Sequence, residues 1–143
     1  MNLNNLVGKS LEEIEPDLTI IQRLLNAAQR NISDAQIEAV SNENRFDAAY
    51  KAIMQLANAP LQIRGYRTLT SRPGHHQTMI QSLPQTAGIS NETMIVLDAL
   101  RKQRNVVDYS GDLVPNSTVE ECIAHAKTLW DLVSSQVLKA HPN

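Results

Sequence analysis

Aromatic side chains are nearly missing: one Phe, one Trp and three Tyr make up 3% of the chain. A core built almost without rings must be aliphatic, filled by Leu, Ile, Val, Ala and Met. Cysteine occurs once, at Cys122, which excludes an intrachain disulfide and a metal centre made of several thiolates. Within the amphipathic stretch that holds it, Cys122 reads as a small buried residue, with a nucleophile as the alternative. No apolar run approaches the ~18 residues of a membrane span. The first residues lack the basic start and apolar centre of a signal peptide, so a cytoplasmic protein is expected. Phosphate-cradling glycine loops, Gly-x-Ser-x-Gly elbows and His-Glu-x-x-His pairs are absent too. No cofactor and no metal are expected.

What is present is ordinary in amount and uneven in placement. Apolar residues are 42% and charged residues 20% of 143, the balance of one globular domain spanning 1–143. Net charge is −2, against broad nucleic-acid affinity. Residues 1–59 hold five Lys/Arg against eight Asp/Glu, and residues 111–143 hold two against four. Residues 60–110 hold six against three and are the only positive segment. This pattern suits a local anion site rather than an extended phosphate track. Arg64, Arg67 and Arg72 read equally well as solvated loop charges.

Helical periodicity organises the chain. Leu18, Ile21, Leu24, Leu25, Ala28 and Ile32 predict a first long helix to about Val40. A second begins after Ser41 on a face of Phe46, Ala49, Tyr50, Ile53, Met54, Leu56 and Ala57, and Pro60 is expected to kink or break it. His75 to Leu83 gives a short third helix stopped by Pro84. Ser90 caps a fourth, to about Tyr109, and Ser117-Thr-Val-Glu120 opens a fifth as a capping box. A similar box, Ser10-Leu-Glu-Glu13, predicts a short turn at the start. No strand is expected. The architecture is all-α, an up-and-down bundle of four main helices and one short one.

Chemistry concentrates near the end of the fourth helix. Leu97, Leu100, Arg104 and Val107 share one face by their spacing, which puts a guanidinium in line with apolar residues. That group stays charged and must find an anion, an acceptor or water. Asn105, Asp108 and Tyr109 surround it, Arg101 lies one turn before, and Gly111 offers a left-handed stop. His75-His76 opens a helix just after Arg72-Pro-Gly74, where backbone N–H groups favour an anion. Adjacent histidines point to different sides, so one at most serves a given site. A polar helix start with one imidazole partly buried explains the pair equally.

The chain resembles the HEPN domain, a small helical module of prokaryotic toxin–antitoxin and defence systems. Arg45-Phe-Asp-Ala-Ala-Tyr50-Lys-Ala-Ile-Met54 resembles the family's second-helix pattern. Gly65-Tyr66 and His75-His76 resemble its following loop and helix opening, and Arg104-Asn105 the start of its R-x(4–6)-H signature. The resemblance spans roughly 18–139. It implies a homodimer whose signature helices meet in a groove that, in active members, cuts RNA without metal. There the Arg steadies the phosphate's developing charge and the His moves protons. This chain departs from the signature: Tyr109 stands where His is expected, and the longer gaps give Ser110 and Gly111. A phenol with a reference pKa of about 10 is a weak general base at neutral pH.

Three readings follow. One is a module binding RNA, a nucleotide or a protein partner around Arg104, Asn105, Asp108, Arg101 and Arg72 without full catalytic competence. Another is a metal-independent endoribonuclease toxin whose imidazole comes from His75 or His76, with Arg104 and Tyr109 as further catalytic candidates. In the third, Arg104 pairs with Asp108 and merely solvates a helix end. The resemblance also implies a cognate nucleotidyltransferase antitoxin as a partner.

Overall fold

A computed structural model describes residues 2–111 and 113–140, except the side chains of Asp108 and Tyr109. The elements run β1 (Leu11–Glu13), α1 (Leu18–Ala35), α2 (Asn42–Ile63), β2 (Tyr66–Thr68), α3 (His75–Thr86), α4 (Asn91–Ser110) and α5 (Asn116–Ala140), after a 3₁₀ turn at Leu3–Leu6. The all-α expectation holds. α2 is the central helix, packed on α1 and α5 on one side and on α3 and α4 on the other. Among the described residues no helix is long and apolar enough to cross a membrane.

The helices start where side chains satisfy otherwise orphaned N–H groups. Asp17 accepts from the Thr19 N–H at 2.9 Å, Ser41 from Asn44 at 3.3 Å and Ser90 from Thr93 at 3.1 Å. At the far end of α4, Gly111 adopts φ +71° and its N–H donates to the Val107 carbonyl at 3.0 Å. Behind these caps each helix buries one stripe: Ile21, Leu25, Ala28 and Ile32 on α1, and Val119, Ile123, Ala126, Leu129, Val133 and Val137 on α5. α2 is buried almost all round, and its Ala49, Ala52, Ala57 and Ala59 let neighbouring helices approach closely.

Five sequence expectations fail. The first helix stops at Ala35, not Val40, because the buried Arg45 Nε donates to the Ala35 carbonyl at 2.7 Å, taking the acceptor that a further turn would use. Arg45 also reaches Glu120 of α5 at 3.3 Å, so one guanidinium ties three helices together. Pro60 does not break α2. It stands in the last turn, where a missing N–H costs a single intrahelical bond, and its ring is buried. Pro84 is accommodated in the same way near the end of α3. The box at Ser10–Glu13 is a strand rather than a helical turn: β1 pairs antiparallel with β2, Leu11 facing Thr68 and Glu13 facing Tyr66. Leu11 is wholly buried and Arg67 is ion-paired with Glu12, so three residues of ladder form where no alternation was visible. At the other end, α5 begins at Asn116 and leaves Ser117 inside the helix rather than capping it.

Candidate functional site

The site lies where α2, α3 and α4 meet. Arg104 of α4 is partly exposed, and both its Nε and a terminal nitrogen lie 3.2 Å from Asp47 Oδ1 on α2. Asp47 also pairs with Lys51 one turn on, at 3.2 Å. The guanidinium carbon of Arg104 stands 5.2 Å from the centroid of the Tyr50 ring, a cation–π distance. Tyr50 is buried, yet its hydroxyl reaches His76 Nδ1 at 3.1 Å. His75 packs edge-on against His76, with ring centroids 4.6 Å apart. A continuous polar path therefore runs Lys51, Asp47, Arg104, Tyr50, His76, His75.

Electrostatics set the protonation along that path. Burial pushes the Tyr50 phenol up to about 12, against the opposing pull of Arg104 and Arg101. It is protonated at neutral pH and serves as a hydrogen-bonding tether. Burial, then His75, Arg104 and Arg101, hold the His76 pKa below its ordinary value of 6.5, so its imidazole is neutral at pH 7. With the proton on Nε2, His76 accepts from the phenol. With the proton on Nδ1 it donates to the phenol oxygen and offers Nε2 as a base. Arg101 lies beside the path and donates to Asp98 at 2.8 Å. Burial works against the Asp98 carboxylate, but the Arg101 hydrogen bond and charge, with Lys102, outweigh it and hold its pKa low.

Of the candidates read from the sequence, the fold brings together Arg104, Arg101, His76 and His75. Asn105 is exposed on α4 next to Arg104. Arg72 stands exposed in the loop before α3, where its N–H closes a turn on Leu69, and no described contact ties it to the cluster. The side chains of Asp108 and Tyr109 lie outside the described residues. Arg104 finds Asp47 on another helix. Sequence reading missed Asp47 and the role of Tyr50, although two signals were available: Asp47 and Lys51 sit at i,i+4, and a hydroxyl on a buried helix face needs a partner. Among the described residues no group of three or more His, Cys, Asp or Glu could hold a metal ion. Cys122 is buried and its thiol is pushed up to about 12 by burial, so it packs rather than attacks.

The depressed His76 pKa has a measurable consequence. Above pH 6.5 the imidazole is neutral whether the chain is folded or not. As pH falls below 6.5 the unfolded chain takes up the proton before the folded one does, so stability falls with pH. Melting temperature is expected to drop between pH 7.5 and 5.5, and His76→Asn to flatten that slope. A slope unchanged in the variant would contradict the burial of a neutral imidazole.

No protein-family model, curated protein or solved structure matches the chain.

Proposed function

We propose that the chain is a HEPN-like module of the toxin–antitoxin or defence type. It binds an anionic ligand, RNA or a nucleotide, around Arg104 and Asn105, without full catalytic competence. The observation that carries this reading is the Arg104 guanidinium, which stands over the Tyr50 ring and is held by Asp47. Such a fork matches phosphate oxygens. A phosphate arriving there competes with Asp47 for the same donors. Asp47→Asn is therefore expected to tighten binding of a short single-stranded RNA, and Arg104→Ala to weaken it, in a fluorescence anisotropy titration. If the pair is only structural, both variants lower stability and neither changes affinity.

The working form is a homodimer with α4 near the two-fold axis. α4 packs on α3 and α2 and leaves Ile95 and Val106 exposed at 62% and 57% on its outer side. A two-fold contact uses that surface twice. Arg104 lies nine residues from Ile95, on the opposite side of α4, so each protomer keeps its own Arg104 site. Light scattering at micromolar concentration is expected to give twice the chain mass, and Ile95→Glu to give the monomer. A monomeric wild type would overturn the dimer.

The second reading is metal-independent RNA cleavage, favoured by the tether between Tyr50 and His76. A group that orients a neutral imidazole is what a general base requires. In this reading His76 Nε2 takes the 2′-hydroxyl proton while Arg104 stabilises the charge on phosphate.

A further inference from the structure

A groove of about 780 Å³ runs between α1 and α2. Lys51 lines it and pairs with Asp47, the carboxylate that holds Arg104, so the groove adjoins the Arg104 cluster. Its walls are mostly carboxamides and charges: Asn26, Arg30, Asn31 and Asp34 from α1, and Lys51 and Gln55 from α2. Asn31 Nδ2 donates to Gln55 Oε1 at 3.0 Å across the groove. Its volume falls in the roughly 300–1,000 Å³ range of ligand sites, but its lining is polar where most such sites are apolar. Arg30 and Lys51 both belong to the acidic segment 1–59, and the packing of α1 on α2 brings them to one groove.

We infer that this groove holds the bases of a short single-stranded RNA whose adjoining phosphate is taken at Arg104. The inference rests on the proposed anion site and names the rest of its ligand. Three observations favour it. Two cations line it, Arg30 from α1 and Lys51 from α2, beside the single carboxylate of Asp34, so backbone phosphates have partners next to the bases. Asn26 and Asn31 of α1 and Gln55 of α2 line it too, and an amide's paired donor and acceptor match the Watson–Crick and Hoogsteen edges of a base, adenine above all. No aromatic side chain lines the groove, so bases lie with their edges on the amides rather than stacked. The lining residues of α1 run from Asn26 to Asp34, ~12 Å of helix. This accommodates a few nucleotides and no long track, consistent with a chain of net charge −2.

The test uses the full chain and labelled tetranucleotides, one of adenosines and one abasic, followed by fluorescence anisotropy. Wild type is expected to prefer the adenosine form. Gln55→Leu should weaken the adenosine tetramer on the order of tenfold while sparing the abasic one. Arg30→Gln should weaken both and lower the salt slope by about one. Melting temperatures near wild type would show that both variants are folded. If Arg104→Ala weakens binding while Arg30→Gln and Gln55→Leu do not, the groove is overturned and the anion site stands. If the wild type binds neither tetramer, both are overturned and the groove remains open to a polypeptide.

Discussion

Ile53→Ala is expected to destabilise the fold by ~2–5 kcal/mol, among the largest effects of any single truncation here. Ile53 is 1% exposed on the central helix, so its lost methyl groups leave a void that helices on both sides would have to close. Leu97→Ala should cost a similar amount for a different reason. Among the described residues of α4 only Leu97 and Leu100 are buried, with Met94 and Val107 partly so, and removing Leu97 takes away much of its hold on the bundle. Loss of Leu97 should therefore also loosen the Arg104 site, whereas loss of Ile53 should weaken the whole fold evenly. Leu138→Ala, 66% exposed on α5, is the control and should shift stability by no more than ~0.5 kcal/mol. Urea melts with unchanged slope measure all three. An Ile53→Ala protein that melts like wild type would sink the assigned core.

The second large effect concerns RNA. Purified wild type is expected to leave single-stranded RNA intact in the presence of a chelator, and Arg104→Ala to lower affinity without any rate to change. Should wild type cleave instead, the roles are separable. Arg104→Ala would abolish cleavage, His76→Ala would cost at least ~100-fold, and His75→Ala little. Tyr50→Phe would then matter through the imidazole it orients, lowering the rate and shifting the pH profile downward, because the oxygen that accepts from Nδ1–H and favours the imidazolium is lost. Tyr109→Phe would be the damaging change only if that hydroxyl did the work. Metal-independent cleavage lost in Arg104→Ala would overturn the binding-only reading.

The helices were legible because their signals are local. Caps at Asp17, Ser41 and Ser90, a left-handed glycine at Gly111 and apolar stripes of helical period all act within a few residues. What escaped depends on contacts between distant parts of the chain. The β1–β2 ladder joins segments 55 residues apart, such as Glu12 and Arg67, and three residues are too few for alternation to register. The end of α1 is decided by Arg45, ten residues on. Pro60 misled because a rule for helix interiors was applied to a last turn. At the site, Arg104 and the two histidines stood out as polar groups in apolar company. Their connection did not, since it passes through Tyr50, whose ring satisfied the core pattern and so concealed its hydroxyl. The segment charge balance likewise hid Arg30, because charge summed along a chain says little about charge gathered across two antiparallel helices.

The short ladder between β1 and β2 also sets how the molecule bears mechanical load. Its strands are antiparallel, and the chain enters β1 at Leu11 and leaves β2 at Thr68, which face each other. Tension applied between the segments before Leu11 and after Thr68 therefore meets this ladder in an unzipping geometry, opening one bond at a time. Among the described residues of the first segment Leu3 and Leu11 are buried and Leu6 packs beside them partly exposed, so these few side chains hold the strap once the ladder opens.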